Sequence, residues 1–171
     1  MKRLAITAAA VLALAGCGER RVADQPAPTQ APARPASTPS PAGSPVDLVQ
    51  RLYARDSIPQ TEAEILAFFA RDLGIALMTD LSSPETQAVG ADYRYAAQDF
   101  QITDLRLEAI ADGPDGSLVR ASFRNFGQPG QADILLCRRA TGEFRIRDVT
   151  SADGSLRSLL KLPPAEAAES C

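Results

Sequence analysis

The chain has 171 residues, a formal charge of −3, 45% apolar residues, and neither His nor Trp. The missing histidine excludes imidazole acid–base catalysis and His-ligated metals, and the net negative sign argues against a nucleic-acid partner. The length suffices for one domain plus a tail.

The first elements concern export. Lys2 and Arg3 precede an apolar run from Leu4 to Leu14, then Ala15-Gly16 and Cys17. That order reads as a bacterial lipoprotein signal: a charged start, an apolar segment, a small-residue cleavage site and a thiol to take the lipid. As a helix the apolar run spans only ~18 Å against a hydrocarbon core of ~30 Å, too short for a membrane anchor. The expected division is a signal over 1–16, a lipidated Cys17 with a Pro/Ala-rich disordered tether over 17–45, an α+β domain over 46–162 and a tail over 163–171. After cleavage the formal charge falls to −5. The expected location is the cell envelope, held through the lipid. By analogy with sorting rules, Gly18 after Cys17 favours the outer membrane, facing the periplasm, in a Gram-negative cell. Seven of thirteen prolines fall in 18–45, and such a segment can reach up to ~90 Å in an extended conformation.

Ser44-Pro45 opens the folded part as an N-cap with proline at the first helical position. Val46, Val49, Leu52 and Tyr53 give the first helix its apolar spacing. After Pro59, Thr61-x-x-Glu64 is a capping box for a second helix, with Ile65, Phe68, Phe69 and Leu73 as one stripe. Gly74 is the expected divider from a third helix carrying Leu77, Met78 and Leu81, and Pro84 ends the helical region. From Phe100 the period becomes two. Strands are expected over Phe100–Ile110, Leu118–Phe126, Ala132–Arg139 and Glu143–Thr150, joined by turns at 112–116, 125–130 and 140–142. A last short helix, Leu156–Leu160, follows Asp153-Gly154. The fold class is therefore α+β, with N-terminal helices on a curved, mainly antiparallel four-stranded sheet.

Two cysteines remain once Cys17 takes lipid. In an exporting compartment an even remainder favours a Cys137–Cys171 disulfide; the alternative is a buried thiol at Cys137 and an exposed one at Cys171. Metal binding is not expected, nor is any cofactor. Carboxylates are the only reactive candidates. Asp99 stands at the start of the first strand, and Asp148 falls on the side of Phe144 and Ile146, pointing inward if alternation holds. With Asp92 and the phenols of Tyr93 and Tyr95 these acids form a candidate pocket. The competing account makes Asp148 a paired structural acid and Asp99 a loop cap. Arg120, Arg124, Arg145 and Arg147 alternate along the strands and should share the solvent face. Residues 117–161 carry a net +4 against −8 for 46–116. That face is a candidate dock for an anionic partner, against an ordinary solvated face neutralised by neighbouring acids.

Phe68-Phe69, Leu73, Leu77, Asp80, Asp92, Gln98-Asp99, Phe144-Arg-Ile-Arg-Asp148-Val149, Ser155-Leu-Arg157 and Leu159-Leu160 also carry a resemblance. Over about residues 46–162 the chain resembles a bacterial family of exported domains within the nuclear-transport-factor-two-like superfamily. The resemblance implies a cone of bent sheet wrapped around helices, often with an interior pocket. Two functions are consistent with these readings. One is an envelope lipoprotein whose domain is a non-catalytic binding or accessory module for an envelope protein or a small ligand. The other is a small cone-fold enzyme, isomerase- or hydratase-like, with an aspartate base.

Overall fold

Reciprocal side-chain caps start the first two helices. A computed structural model describes residues 43–113, 116–167 and 171, all within the unit Ser37–Cys171. The expected signal, the lipidation site Cys17 and the tether up to residue 42 lie outside the described residues. Helix α1 (Pro45–Tyr53) opens with the Asp47 N–H donating to Ser44 Oγ at 3.1 Å and the Ser44 N–H donating to Asp47 Oδ2 at 2.8 Å. Helix α2 (Glu62–Phe68) repeats the arrangement with Thr61 and Glu64. The Gln60 N–H, then the Arg55 guanidinium, hold the Glu64 carboxyl at about 2.

α2 stops earlier than its apolar stripe predicts. Phe69 is extended (φ −101°, ψ 152°) and pairs in parallel with Ile146, and the Ala70 N–H donates to the Ile146 carbonyl at 2.8 Å. Helix α3 (Arg71–Leu81) begins directly afterwards. The expected divider, Gly74, therefore sits inside α3. Its service is proximity: a Cβ there would lie 3.0 Å from Leu66 Cδ2 and 3.3 Å from Ile65 Cγ2, so glycine lets α3 close on α2.

The strands are β1 (Ile102–Asp112), β2 (Ser117–Asn125), β3 (Gln128–Arg138), β4 (Phe144–Ser151) and β5 (Gly154–Ser155), antiparallel and side by side in chain order. This corrects the expected curved, four-stranded, cone-like sheet. The sheet has five strands, ends at β1 and β5, and neither curls nor closes. Short connections lay each strand beside its predecessor, and β1 and β5 remain the two ends of the sheet. β5 escaped the sequence reading because a two-residue strand carries no alternation. A short helix, α4 (Leu156–Leu159), follows it. The main core lies between the helices and one sheet face: Leu48, Leu52, Ile65 and Leu73 are buried with Val119, Ile134, Leu136 and Ile146. Each such side chain contributes roughly 1.5–3 kcal/mol relative to exposure.

The expected loop 125–130 is a two-residue turn. Asn125 pairs with Gln128, and Phe126 and Gly127 turn the chain at φ 48° and 77°. Pro129 and Gly130 belong to β3. Pro129 is tolerated there because β4 pairs only with Asp133–Arg138, leaving the β4-facing side of β3 near the turn without a strand. Gly130 lies under the Phe123 ring, which a Cβ would overlap.

Candidate functional site

The loop from Ala88 to Gln98 is fixed at several points. The buried Asp80 carboxylate accepts from the Ala88 N–H at 2.6 Å and the Val89 N–H at 3.1 Å. Asp92 and Ala97 pair across a small turn with Ala96 at φ 52°, and Gln98 Nε2 donates to the Gly90 carbonyl at 3.0 Å. Arg94, only 1% exposed, anchors the whole loop. Its Nε and Nη2 donate to Asp92 Oδ1 and Oδ2 at 3.0 and 2.6 Å, while Nη1 donates to the carbonyls of Leu52 and Arg55 at 3.1 and 2.7 Å. A cation thus caps the carbonyl end of α1, where the helix dipole favours it. The Tyr53 hydroxyl completes the joint by donating to the Arg94 carbonyl at 2.9 Å.

Between this loop and β4–β5–α4 lies a hollow of about 290 Å³. Val89, Tyr93, Val149, Leu156 and Leu159 form its apolar wall, and Gln98, Ser151 and Asp153 its polar rim. Small residues at Ala88, Gly90, Ala91 and Ala96 keep it open; a Cβ on Gly90 would meet nothing within 4 Å. Tyr93 packs edge-on against Phe69 at 5.6 Å. Burial, then the Asp92 carboxylate, push its phenol well above the ordinary range. An apolar hollow with a few polar groups at its mouth suits binding of a compact apolar group.

The candidate residues do not converge. Asp92 is committed to Arg94. Tyr95 belongs to a ring cluster with Tyr53, Phe100 and Phe123, at 5.5, 4.8 and 5.3 Å. Asp99 is exposed. Asp148 is buried, but on the other face of the sheet from Ile146. Leu136 pairs with Ile146 and Leu135 with Asp148, so Arg147 is an extra residue, a β-bulge that reverses the alternation. Asp148 therefore sits against α4 and the segment after it. Its Oδ1 accepts from the Val149 and Arg157 N–H groups at 2.9 and 3.1 Å, and its Oδ2 from the Ser155 hydroxyl at 2.5 Å. The cleft beside it, lined also by Leu118, Leu135 and Ala165, shares no residue with the hollow.

The arginines are engaged within the chain. Arg120 grips Asp133 through two bonds at 2.8 and 2.9 Å. Arg124 donates to the Gly127 carbonyl at 2.7 Å and stands 3.6 Å from Asp104. Arg145 reaches the Leu66 carbonyl at 3.1 Å and Glu143 at 3.2 Å, and Arg147 also has a partner. Cys137 and Cys171 are bonded, with Cα atoms 5.6 Å apart. Among the described residues no group of three or more His, Cys, Asp or Glu side chains could hold a metal ion.

Sequence reasoning missed the two buried arginines. Arg157, 1% exposed, donates to Asp72 Oδ2 at 2.8 Å, the Pro163 carbonyl at 2.6 Å and the Arg147 carbonyl at 3.4 Å. Asp92-Tyr-Arg94-Tyr was the one visible hint, an acid and a base on the same side of a loop between two rings. No family model, no curated protein and no solved structure matches the chain. With an open sheet and no family match, the resemblance to the nuclear-transport-factor-two-like superfamily is withdrawn.

Proposed function

We propose that the chain is a non-catalytic binding module, held at the cell envelope by lipid on Cys17, whose hollow beside Tyr93 takes a compact apolar group. The hollow carries the reading: small residues keep it open, and its walls are pinned by Asp80, Arg94 and Gln98 rather than left to collapse. Pre-formed apolar sites bind without first ordering their walls. Nearby, Asp80 and Asp92 already serve main-chain N–H groups or Arg94, and Asp153 is the one carboxylate among the described residues that line the hollow, with no second acid beside it there. Titration with the dye 1-anilinonaphthalene-8-sulfonate tests it. One saturable site is expected, weakened at least about tenfold by Ala91→Leu and unchanged by Asp99→Asn, with melting temperatures preserved. Absence of saturable binding, or indifference to Ala91→Leu, overturns the assignment. The anchor is checked by mass spectrometry of the N-terminal peptide, where an unmodified Cys17 would contradict it.

A further inference from the structure

β1 is an edge strand of eleven residues, paired on one side by β2, and nearly every residue in it is exposed. Leu105 and Ile110 remain 39% and 41% exposed. Two irregularities divide the strand. One extra residue lies between Thr103 and Arg106, where Asp104 takes φ 56°, and another lies between Ala109 and Ala111. The regular stretch between them is Arg106–Ala109.

That stretch is complementary to itself. Leu107 and Ala109 pair with Ala121 and Val119 on the core face, whereas Arg106 and Glu108 pair with Ser122 and Arg120 on the outer face. Take a second copy antiparallel to the first, with the two-fold axis at Leu107. Directly opposite residues then lie on the same face. Arg106 of each copy stands opposite Glu108 of the other on the outer face. On the core face Leu107 meets Leu107. A shift that centres the axis on Arg106 or on Glu108 sets like charges together, and a one-residue shift misaligns the faces. Among the described residues Arg106 and Glu108 form no ion pair: Glu108 adds to the field on Arg120 opposite it, but Arg120 directs its hydrogen bonds to Asp133.

We infer that the chain forms a homodimer by antiparallel pairing of β1 with β1 of a second copy about Leu107, giving one continuous ten-stranded sheet. The full chain in mild detergent, and its Cys17→Ser form, which cannot be lipidated, should both sediment as dimers. Arg106→Glu and Glu108→Arg should each raise the dissociation constant about tenfold or more, because two attractive cross-strand pairs become repulsive. The double variant Arg106→Glu/Glu108→Arg should return it toward the wild-type value, with unchanged far-ultraviolet circular dichroism throughout. Leu107→Cys should form an intermolecular disulfide on mild oxidation, since opposed Cα atoms lie ~4.5–5.5 Å apart. Ala109→Cys should not, being ~13 Å from its own copy at this register. A monomeric wild type, which would leave this edge to solvent or to a strand of another protein, overturns the inference. So does a double variant no tighter than the singles, or crosslinking through Ala109→Cys as ready as through Leu107→Cys.

Discussion

The two sides of the sheet are finished in different ways. On the β4 side, Phe69 and Ala70 pair along the strand at Ile146, β5 covers Thr150 and Ser151, and Arg157 ties the bulge carbonyl of Arg147 to Asp72 of α3. On the β1 side the chain uses only local devices: two irregularities, a residue at positive φ, and alternating charges. The first covers an edge outright; the second trims it to the short regular stretch Arg106–Ala109, which stays open to a second copy. They differ in what they demand, since a covered edge needs distant segments of the same chain to be in place, whereas a charged and kinked edge needs none of them. Stability should therefore depend steeply on the β4 side and weakly on the β1 side.

The greatest loss should follow from opening the Cys137–Cys171 bond, which closes a sequence separation of 34 residues and holds Cys171 against β3. Replacing both cysteines by serine should cost about 3–4 kcal/mol in the chain-entropy account, read from the urea midpoint at constant slope. A loss under about 1 kcal/mol would mean that the segment after α4 docks without the bond. Next comes Arg157→Met, expected to cost about 3 kcal/mol by orphaning buried carbonyls and Asp72. That is the low end of the range for a buried pair, because the Asp72 side chain keeps 35% of its surface in water. Thr103→Ala on β1 should stay within about 0.5 kcal/mol. Equal effects from these two substitutions would erase the contrast between the edges. The mildest test is acid. The Gln60 N–H and Arg55 hold Glu64 at about 2 against an ordinary 4.5. Burial pushes the Asp72 carboxyl up, but Arg157 and the Leu73 N–H together bring it below the ordinary range. Both folded values lie below the unfolded ones, so their stabilisation is complete above the unfolded values and fades as pH falls through the folded ones. The melting temperature should decline below about pH 4.5, and Glu64→Gln should flatten part of that decline.

Much of this was legible where a local rule decides the outcome. Ser44 with Pro45 and Thr61 with Glu64 place two helix starts because capping is short-range chemistry. The four long strands are visible because their apolar residues alternate. What stayed hidden was set by partners far along the chain. Phe69 continues the helical stripe in sequence, yet pairing with Ile146 takes it out of the helix. Phe144, Ile146 and Asp148 keep their spacing through Arg147, so nothing local announces the bulge that moves Asp148 to the other face. Arg94 and Arg157 are hidden for a different reason: arginine is ordinarily a surface residue, and only the carbonyls and carboxylates gathered around these two make burial tolerable. The hollow is harder still to read, because it is defined by the small size of Ala88, Gly90, Ala91 and Ala96, and composition does not reveal empty space.

The bond between Cys137 and Cys171 also determines how the domain carries mechanical load. Tension applied at Cys171 enters β3 directly through the sulfur bridge, so the covalent path bypasses β4, β5 and α4. Those elements include the Asp148 joint and one wall of the hollow. In a module pulled between Cys171 and its N-terminal side, force reaches that wall through non-covalent ties such as Phe69–Ile146 and Arg157–Asp72.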